Sequence, residues 1–286
     1  MTHNDLSERI DEYIKKMPCL SVSVGKVTEI CNRANVNPFD LNQLISLDPV
    51  LRGRLLQLVN SVHYEHGHHV ISPVKAVTKL GINTVKNLLL STTGSLSLEN
   101  ENDGMNIKDF LFHSLSVGVT AKLLAARQKI DSVLFEEYFT AGLLHDIGKI
   151  PLNALMPSQY RLVLSDVERK QISLLEAEEK TLGLNHCMAG AMIAKSWKFD
   201  SPVADVIMHH HNPALYSGEN ANILYTVSIA DHFSSFSGVP SVGNKIPEKP
   251  ANIVWETLNI KEDSFEELKE TVVKEIKKAE VFLHLS

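Results

Sequence analysis

The segment Ala141-Gly-Leu-Leu-His-Asp-Ile-Gly-Lys-Ile150 carries a histidine and an aspartate side by side near the end of an apolar stretch that predicts a helix stopping at Gly148. An apolar helix faces the protein core, where an imidazole and a carboxylate both need polar partners. A metal ion suits both side chains. A hydrogen-bonded His–Asp pair is the alternative, and the surroundings of His145 and Asp146 must decide between them.

Apolar residues recur at three- and four-residue spacing along most of the chain, which predicts an all-α fold. Between residues 40 and 60 two helices meet at Asp48-Pro49, an N-cap followed by a proline at the first helical position. No Asn-Gly or Asp-Gly turn lies between alternating apolar runs, so strands are not expected. Further helices are predicted near 6–16, 22–34, 73–80, 83–93, 107–128, 134–146, 158–164, 171–182, 186–196, 201–211, 220–236 and 263–283.

Two irregular stretches divide the chain. The polar run Glu99-Asn-Glu-Asn-Asp-Gly104 resembles a surface linker, and the Gly- and Pro-rich run from Ser237 to Pro250 cannot continue a helix, so it is interpreted as a flexible loop or lid. We therefore expect an N-terminal helical part over 1–104, a helical core over 105–240 that holds the candidate site, and a loop with a terminal helix over 241–286.

Composition narrows the class of protein. The 286 residues carry a formal charge of −6, which argues against nucleic acid as the partner. Three cysteines without a Cys-x-x-Cys pair indicate neither a disulfide framework nor a thiolate zinc site, and they suit a reducing cytoplasm. Neither a signal peptide nor an apolar run of about 18 residues is found, so a cytoplasmic protein without a membrane segment is predicted.

Histidine is the unusual count, at 13. Several of these residues lie on predicted core helices together with carboxylates, and so many buried polar groups are hard to satisfy unless they converge. Imidazole and carboxylate ligands together suit a divalent ion such as iron, manganese, magnesium or zinc. The candidates are Asp109 and His113, four residues apart on one helix face, then His145, Asp146, His186, the run His209-His210-His211, and Asp231.

The order His113, His145-Asp146, Asp231 resembles the H…HD…D signature of the HD superfamily of helical metal-dependent phosphohydrolases. The candidate set without His209 is similar to the ligand set of HD-GYP phosphodiesterases, which implies a binuclear centre bridged by Asp146. His210-His-Asn-Pro213 fits the His-His-x-Pro pattern of that family, but no Gly-Tyr-Pro follows, which argues against cyclic dinucleotide hydrolysis. Lys149 stands where HD hydrolases often hold a phosphate-contacting lysine; alternatively it is a cation favoured at a helix C-terminus.

The N-terminal half resembles the HDOD family, the HD-related output domains of bacterial signalling proteins. The likeness runs from Met17 to Phe236 and implies an all-helical regulatory protein with signalling proteins as partners. It is carried by Met17-Pro-Cys-Leu20, Leu47-Asp-Pro-Val-Leu51, Leu58-Val-Asn-Ser61, Ser72-Pro-Val-Lys-Ala-Val-Thr-Lys-Leu-Gly81 and Phe112-His-Ser-Leu115.

Two functions remain open. The first is a signal-transduction output protein that binds divalent metal. The second is a metal-dependent phosphohydrolase that acts on a nucleotide or other phosphate-containing small molecule, with Asp146 and Lys149 as catalytic residues. Two further features are interpreted without assigning them function: the histidines between His63 and His69 as a solvated loop rather than a second metal site, and Cys187 as a small buried hydrophobe rather than a nucleophile.

Overall fold

The computed structural model describes residues 3–63, 70–93, 104–236, 243, 249–261 and 265–283, and all regular structure in these ranges is helical. The all-α prediction is therefore confirmed. The helices are α1 (His3–Lys16), α2 (Ser21–Cys31), α3 (Pro38–Leu47), α4 (Pro49–His63), α5 (Pro73–Leu80), α6 (Ile82–Thr93), α7 (Ile107–Arg127), α8 (Phe135–Leu144), α9 (Lys149–Leu155), α10 (Pro157–Lys170), α11 (Leu174–Leu182), α12 (His186–Ser196), α13 (Ser201–His209), α14 (Ala221–Phe236), α15 (Asn252–Leu258) and α16 (Glu266–Leu283).

Most predicted helices begin and end within a few residues of the observed ones, but α9 and α15 were not predicted. The sequence of α9 contains Pro151, which argues against a helix; here the proline lies in the first turn, where its missing N–H needs no partner. Only Ala251 separates α15 from Pro250, so the turn-forming residues just before the helix argued against it. The helix predicted over 134–146 ends at Leu144, and α10 continues to Lys170.

Some predictions fall outside the described residues. They concern most of the linker at 99–104, most of the loop at 237–250, and the side chains of the histidine group at 63–69. The division at 104 and 240 also stays a prediction. One hydrophobic core cluster includes Leu44, Leu143 and Leu268, one from each predicted part.

Asp48 joins the starts of two helices. Its Oδ1 accepts hydrogen bonds from the backbone N–H groups of Val50 (2.8 Å) and Leu51 (3.0 Å), which confirms it as the residue that caps α4. Its Oδ2 accepts a third from Leu20, the residue before α2, at 3.1 Å. The carboxylate is fully buried, so each of these donors depends on it.

Replacing Asp48 with alanine should lower the free energy of unfolding by about 2–4 kcal/mol, because a cap is lost and buried N–H groups are left without an acceptor. Urea denaturation measures the effect. Asp131→Ala is the matched control: Asp131 accepts from the backbone N–H of Val133, but it is exposed, and its loss should cost less than about 1 kcal/mol. Equal effects of the two substitutions would contradict the account of Asp48.

A close contact between two glycines sets the distance between α7 and α8. A Cβ on Gly142 would lie 2.8 Å from the Cα of Gly118, so the two backbones touch where these helices cross. Because α14 also packs along α7, the middle of the molecule is built from α7, α8 and α14. None of the helices in the described ranges has both the length and the apolar character needed to cross a membrane.

Candidate metal centre

All of the predicted histidine and aspartate ligands except Asp109 come together, from five places in the chain. His113 lies within α7, and His145 and Asp146 form the turn that follows α8. The other members come from later helices: His186 is the first residue of α12, His210 and His211 directly follow α13, and Asp231 lies within α14.

Asp146 lies at the middle of this group, and its two carboxylate oxygens face different imidazoles. Oδ2 is 3.4 Å from Nε2 of His113 and 3.3 Å from Nε2 of His145. Oδ1 is 3.3 Å from Nε2 of His186 and 3.6 Å from Nε2 of His210. One carboxylate therefore separates two sets of nitrogen donors.

Two further residues complete these sets. Asp231 Oδ1 lies 3.2 Å from His113 Nε2 and 3.8 Å from His145 Nε2. His211 Nε2 lies 3.0 Å from His186 Nε2. We call His113, His145 and Asp231 the first pocket, and His186, His210 and His211 the second pocket; Asp146 lies between them.

Backbone carbonyl oxygens orient the rings of His145 and His210. Nδ1 of His145 is 2.7 Å from the carbonyl oxygen of Gly142, and Nδ1 of His210 is 3.1 Å from that of Val206. A carbonyl oxygen only accepts, so these Nδ1 atoms carry the ring protons. In the neutral rings the Nε2 atoms, which face Asp146, then hold lone pairs available to a metal.

The atoms that face one another are buried and lack hydrogen-bond partners. Among the described residues this holds for Nε2 of His113, His145 and His210 and for Oδ1 of Asp146 and Asp231. The atoms are near each other, but none is in hydrogen-bonding geometry. Unpaired burial is costly, and a divalent cation between them would satisfy nitrogen and oxygen atoms together. The residues present therefore fit a metal.

In the first pocket, burial and charge oppose each other. Burial would lower the pKa of His113, but Asp146 and Asp231 outweigh it and raise that pKa. Burial prevails at His145 and lowers its pKa. Burial would raise the pKa of both carboxyl groups, yet the surrounding imidazoles hold the pKa of Asp146 and Asp231 below the usual value.

In the second pocket the pKa values of two imidazoles are raised. Burial opposes the charged ring of His186, but Glu178 and Cys187 raise its pKa to about 10. Cys187 and Asp146 likewise raise the pKa of His210 against the effect of burial. In the absence of metal, protons on these rings therefore balance the negative charge.

Lys149 is fully buried, and its Nζ lies 2.5 Å from Asp146 Oδ2. It is the first residue of α9, at the end of a helix where the dipole disfavours a cation. The macrodipole therefore does not account for its position, whereas the ion pair with Asp146 does.

Asp109 is not grouped with the ligands of either pocket. It is in the first turn of α7, where its backbone N–H donates to the side chain of Asn106, and it is only partly buried. It belongs to none of the potential metal-binding groups in the described part of the chain. Its role as a ligand remains a prediction.

Two residues near the centre, Cys187 and Glu178, were not predicted from the sequence to be ligands or orienting groups. Cys187 is buried, as expected of a small hydrophobe, yet its sulfur groups with the donor atoms of the second pocket. Glu178 is fully buried and contacts His186. A signal for it exists in the sequence: Glu178 shares a helix face with Leu174, Ala177 and Leu182, which is unusual for an acidic residue.

Two features define the class of protein: the fold is all-α, and its centre contains the histidine and aspartate residues of the HD type. The HDOD domain family matches residues 17–213. The chain therefore belongs to the HDOD domain family, as its N-terminal motifs predicted.

Similarity to individual proteins is more distant. An uncharacterized protein of Treponema pallidum (strain Nichols) is 25% identical over 226 residues, which cover 79% of this chain and 43% of that protein. Ribonuclease Y of Thermus thermophilus is 29% identical over 167 residues, 58% of this chain and 21% of that protein. The chain thus spans less than half the length of either relative.

The fold is shared with a solved structure, the MmoQ response regulator of Methylococcus capsulatus str. Bath. The TM-score is 0.69 at 20% identity, and the similarity covers 89% of this chain and 98% of that one.

Proposed function

We propose that this protein is a regulatory output module of bacterial signal transduction whose HD-type centre binds divalent metal. The observation that carries the proposal is the convergence of buried Nε2 and carboxylate atoms that have no hydrogen-bond partner. Membership of the HDOD family supports the regulatory role, with another signalling protein as the partner. The three cysteines are buried and free, which supports a cytoplasmic location.

A binuclear centre is part of the proposal. Each carboxylate oxygen of Asp146 faces a different pair of imidazoles, as a bridging ligand requires. His113, His145 and Asp231 would hold one ion, and His186, His210 and His211 the other. The predominance of imidazole donors favours iron or zinc over magnesium, which prefers oxygen ligands.

The burial of the centre favours a regulatory over a catalytic role. The side chains of His145, Asp146 and His186 are completely buried, while that of Asp231 is 14% exposed. A catalytic metal site keeps a position open for substrate, whereas protein ligands close a structural site.

A metal-dependent phosphohydrolase is the second candidate, and the position of Lys149 favours it. Its buried ammonium next to Asp146 would help to balance the charge of a phosphate group at the centre. Asp231 and His211 are the more exposed ligands and would lie on the side from which substrate enters. Bound divalent ions would polarise the phosphoryl oxygens of an ester. Turnover on a panel of phosphomonoesters and phosphodiesters that Asp146→Ala abolishes would reject a purely regulatory role.

The metal proposal is tested by thermal unfolding of chelator-treated protein with Fe²⁺, Mn²⁺ or Zn²⁺ added singly. At a hundredfold excess over Kd, binding should stabilise the fold by about 2.7 kcal/mol, which raises Tm by roughly 5–10 °C. His145→Ala should reduce the shift, because the first pocket loses a ligand while His186, His210 and His211 remain. His209→Ala is the matched control, because His209 contacts Tyr216 and belongs to neither pocket. Purified protein without metal and without any shift would remove the basis of the proposal.

Metal binding should release protons at neutral pH. His186, with a pKa of about 10, carries a proton in the metal-free state, and a metal ligand must be unprotonated. Apparent affinity should therefore rise as the pH increases from 6 towards 9. Calorimetric titration with Zn²⁺ in buffers of different ionisation enthalpy counts the protons. A binding enthalpy that is the same in all buffers would show that no proton leaves.

A further inference from the structure

Glu178 is a fully buried carboxylate on α11 that contacts the second pocket from outside it. Its Oε2 accepts a hydrogen bond from the backbone N–H of His186 at 2.8 Å and lies 2.6 Å from Nδ1 of the same residue. Its Oε1 accepts a hydrogen bond from the hydroxyl of Tyr160, on α10, at 2.9 Å. Both oxygens are thus engaged, and one of them holds both the backbone and the ring of His186.

This contact determines which nitrogen of His186 faces the centre. Because Nδ1 donates to Glu178, Nε2 points to Asp146 Oδ1, 3.3 Å away, and to His211 Nε2, 3.0 Å away. The contact fixes the orientation of the ring and keeps a proton on Nδ1, so that Nε2 is the nitrogen available to a metal. We propose that Glu178 is the positioning residue of the second pocket, an inference that rests on the proposed binding of metal.

The acceptor of His186 differs from those of the other oriented rings. His145 and His210 each donate to a carbonyl oxygen in the same stretch of chain, three or four residues earlier. His186 donates to a charged group on a different helix. A carboxylate acceptor makes the opposite ring nitrogen a stronger electron donor. The affinity of the second pocket for metal therefore depends on the position of α11.

Tyr160 extends this dependence to α10. Its ring is completely buried, and its hydroxyl supplies the hydrogen bond to Glu178 Oε1. Because α10 and α11 pack along one another, the two helices act as one support behind His186. The geometry thus connects the α10–α11 pair to one half of the metal centre, the second pocket.

The test compares Co²⁺ binding, followed by visible absorption, in the full chain and three variants. Glu178→Leu removes both acceptor oxygens and should weaken binding of one Co²⁺ by about 10- to 100-fold, with the other ion unaffected. Glu178→Gln keeps an oxygen that accepts from Nδ1 but loses the charge, so its loss should be below about tenfold. Glu176→Gln is the matched control on the same helix: Glu176 is exposed, pairs with Lys180, and its replacement should leave binding unchanged.

A second measurement separates positioning from simple support of the fold. In Zn²⁺-loaded wild-type protein, ¹⁵N NMR of the histidine rings should show the proton of His186 on Nδ1, and Glu178→Gln should retain it there. A proton on Nε2 overturns the proposal even if Glu178→Leu does not fold. A folded Glu178→Leu protein with wild-type Co²⁺ affinity and stoichiometry also overturns it, and the proposed function then survives. Wild-type protein that binds no Co²⁺ refutes both.

Discussion

Replacing Asp146 with asparagine should abolish metal binding and lower the free energy of unfolding of the metal-free protein by about 3–5 kcal/mol. The carboxylate is fully buried, lies between the two pockets, and is 2.5 Å from the ammonium of Lys149. Without it, the pockets lose their shared ligand, and a buried cation loses the charge that balances it. Removing one partner of a buried ion pair is more damaging than removing both.

The double variant Asp146→Asn/Lys149→Met separates the two consequences. It removes the buried cation together with the carboxylate, so most of the lost stability should return, while metal binding should not. Urea denaturation reports stability, and metal analysis of the purified variants reports occupancy. Wild-type metal content in Asp146→Asn would exclude Asp146 as the shared ligand. Equal stability of the single and double variants would contradict the importance of the ion pair.

Replacing Gly148 with alanine should destabilise the protein by about 3 kcal/mol or more and impair metal binding. A Cβ on Gly148 would lie 1.9 Å from the carbonyl oxygen of His186 and 2.5 Å from the backbone nitrogen of Gly190. Both are backbone atoms of α12, so the helix itself would have to move. That movement would carry His186 away from Asp146.

Gly25→Ala is the matched control for this substitution. Gly25 is an exposed residue within α2, and a Cβ there would meet no atom within 4 Å. Alanine should therefore raise stability by about 0.5–1 kcal/mol, because it is the better helix former. Thermal unfolding and metal titration of both variants provide the comparison. A Gly148→Ala protein as stable as wild type, with full Zn²⁺ affinity, would show that the close approach is not required.

Local signals in the sequence were sufficient for most of the fold. Apolar spacing and caps such as Asp48 depend on residues a few positions apart, so the helices they define can be recognised without the tertiary structure. Helices were harder to recognise where apolar spacing favoured a helix but proline or turn-forming residues argued against one. In α9 a proline stands in a short helix, and α15 follows a run of turn-forming residues.

The candidate site was predicted as a set of residues, with only the bridging position of Asp146 implied by the family resemblance. His113, His145, Asp146 and Asp231 follow a recognisable order, and they do lie together. Asp109 shares a helix face with His113 by spacing and lies in the first turn of α7, but it is not grouped with either pocket. Spacing along one helix does not say how far a side chain is from residues on other helices.

The sequence alone predicts that this chain is helical and that it resembles the HD-type and HDOD proteins. It also predicts that a group of its histidines and aspartates lies together at one centre. The tertiary structure was needed to show which imidazoles face each oxygen of Asp146, that Lys149 pairs with it, and that Glu178 holds His186. The physical reason is distance along the chain. Helix periodicity and capping act over a few residues, whereas the centre depends on close backbone contacts, such as Gly148 against α12, between helices far apart in sequence.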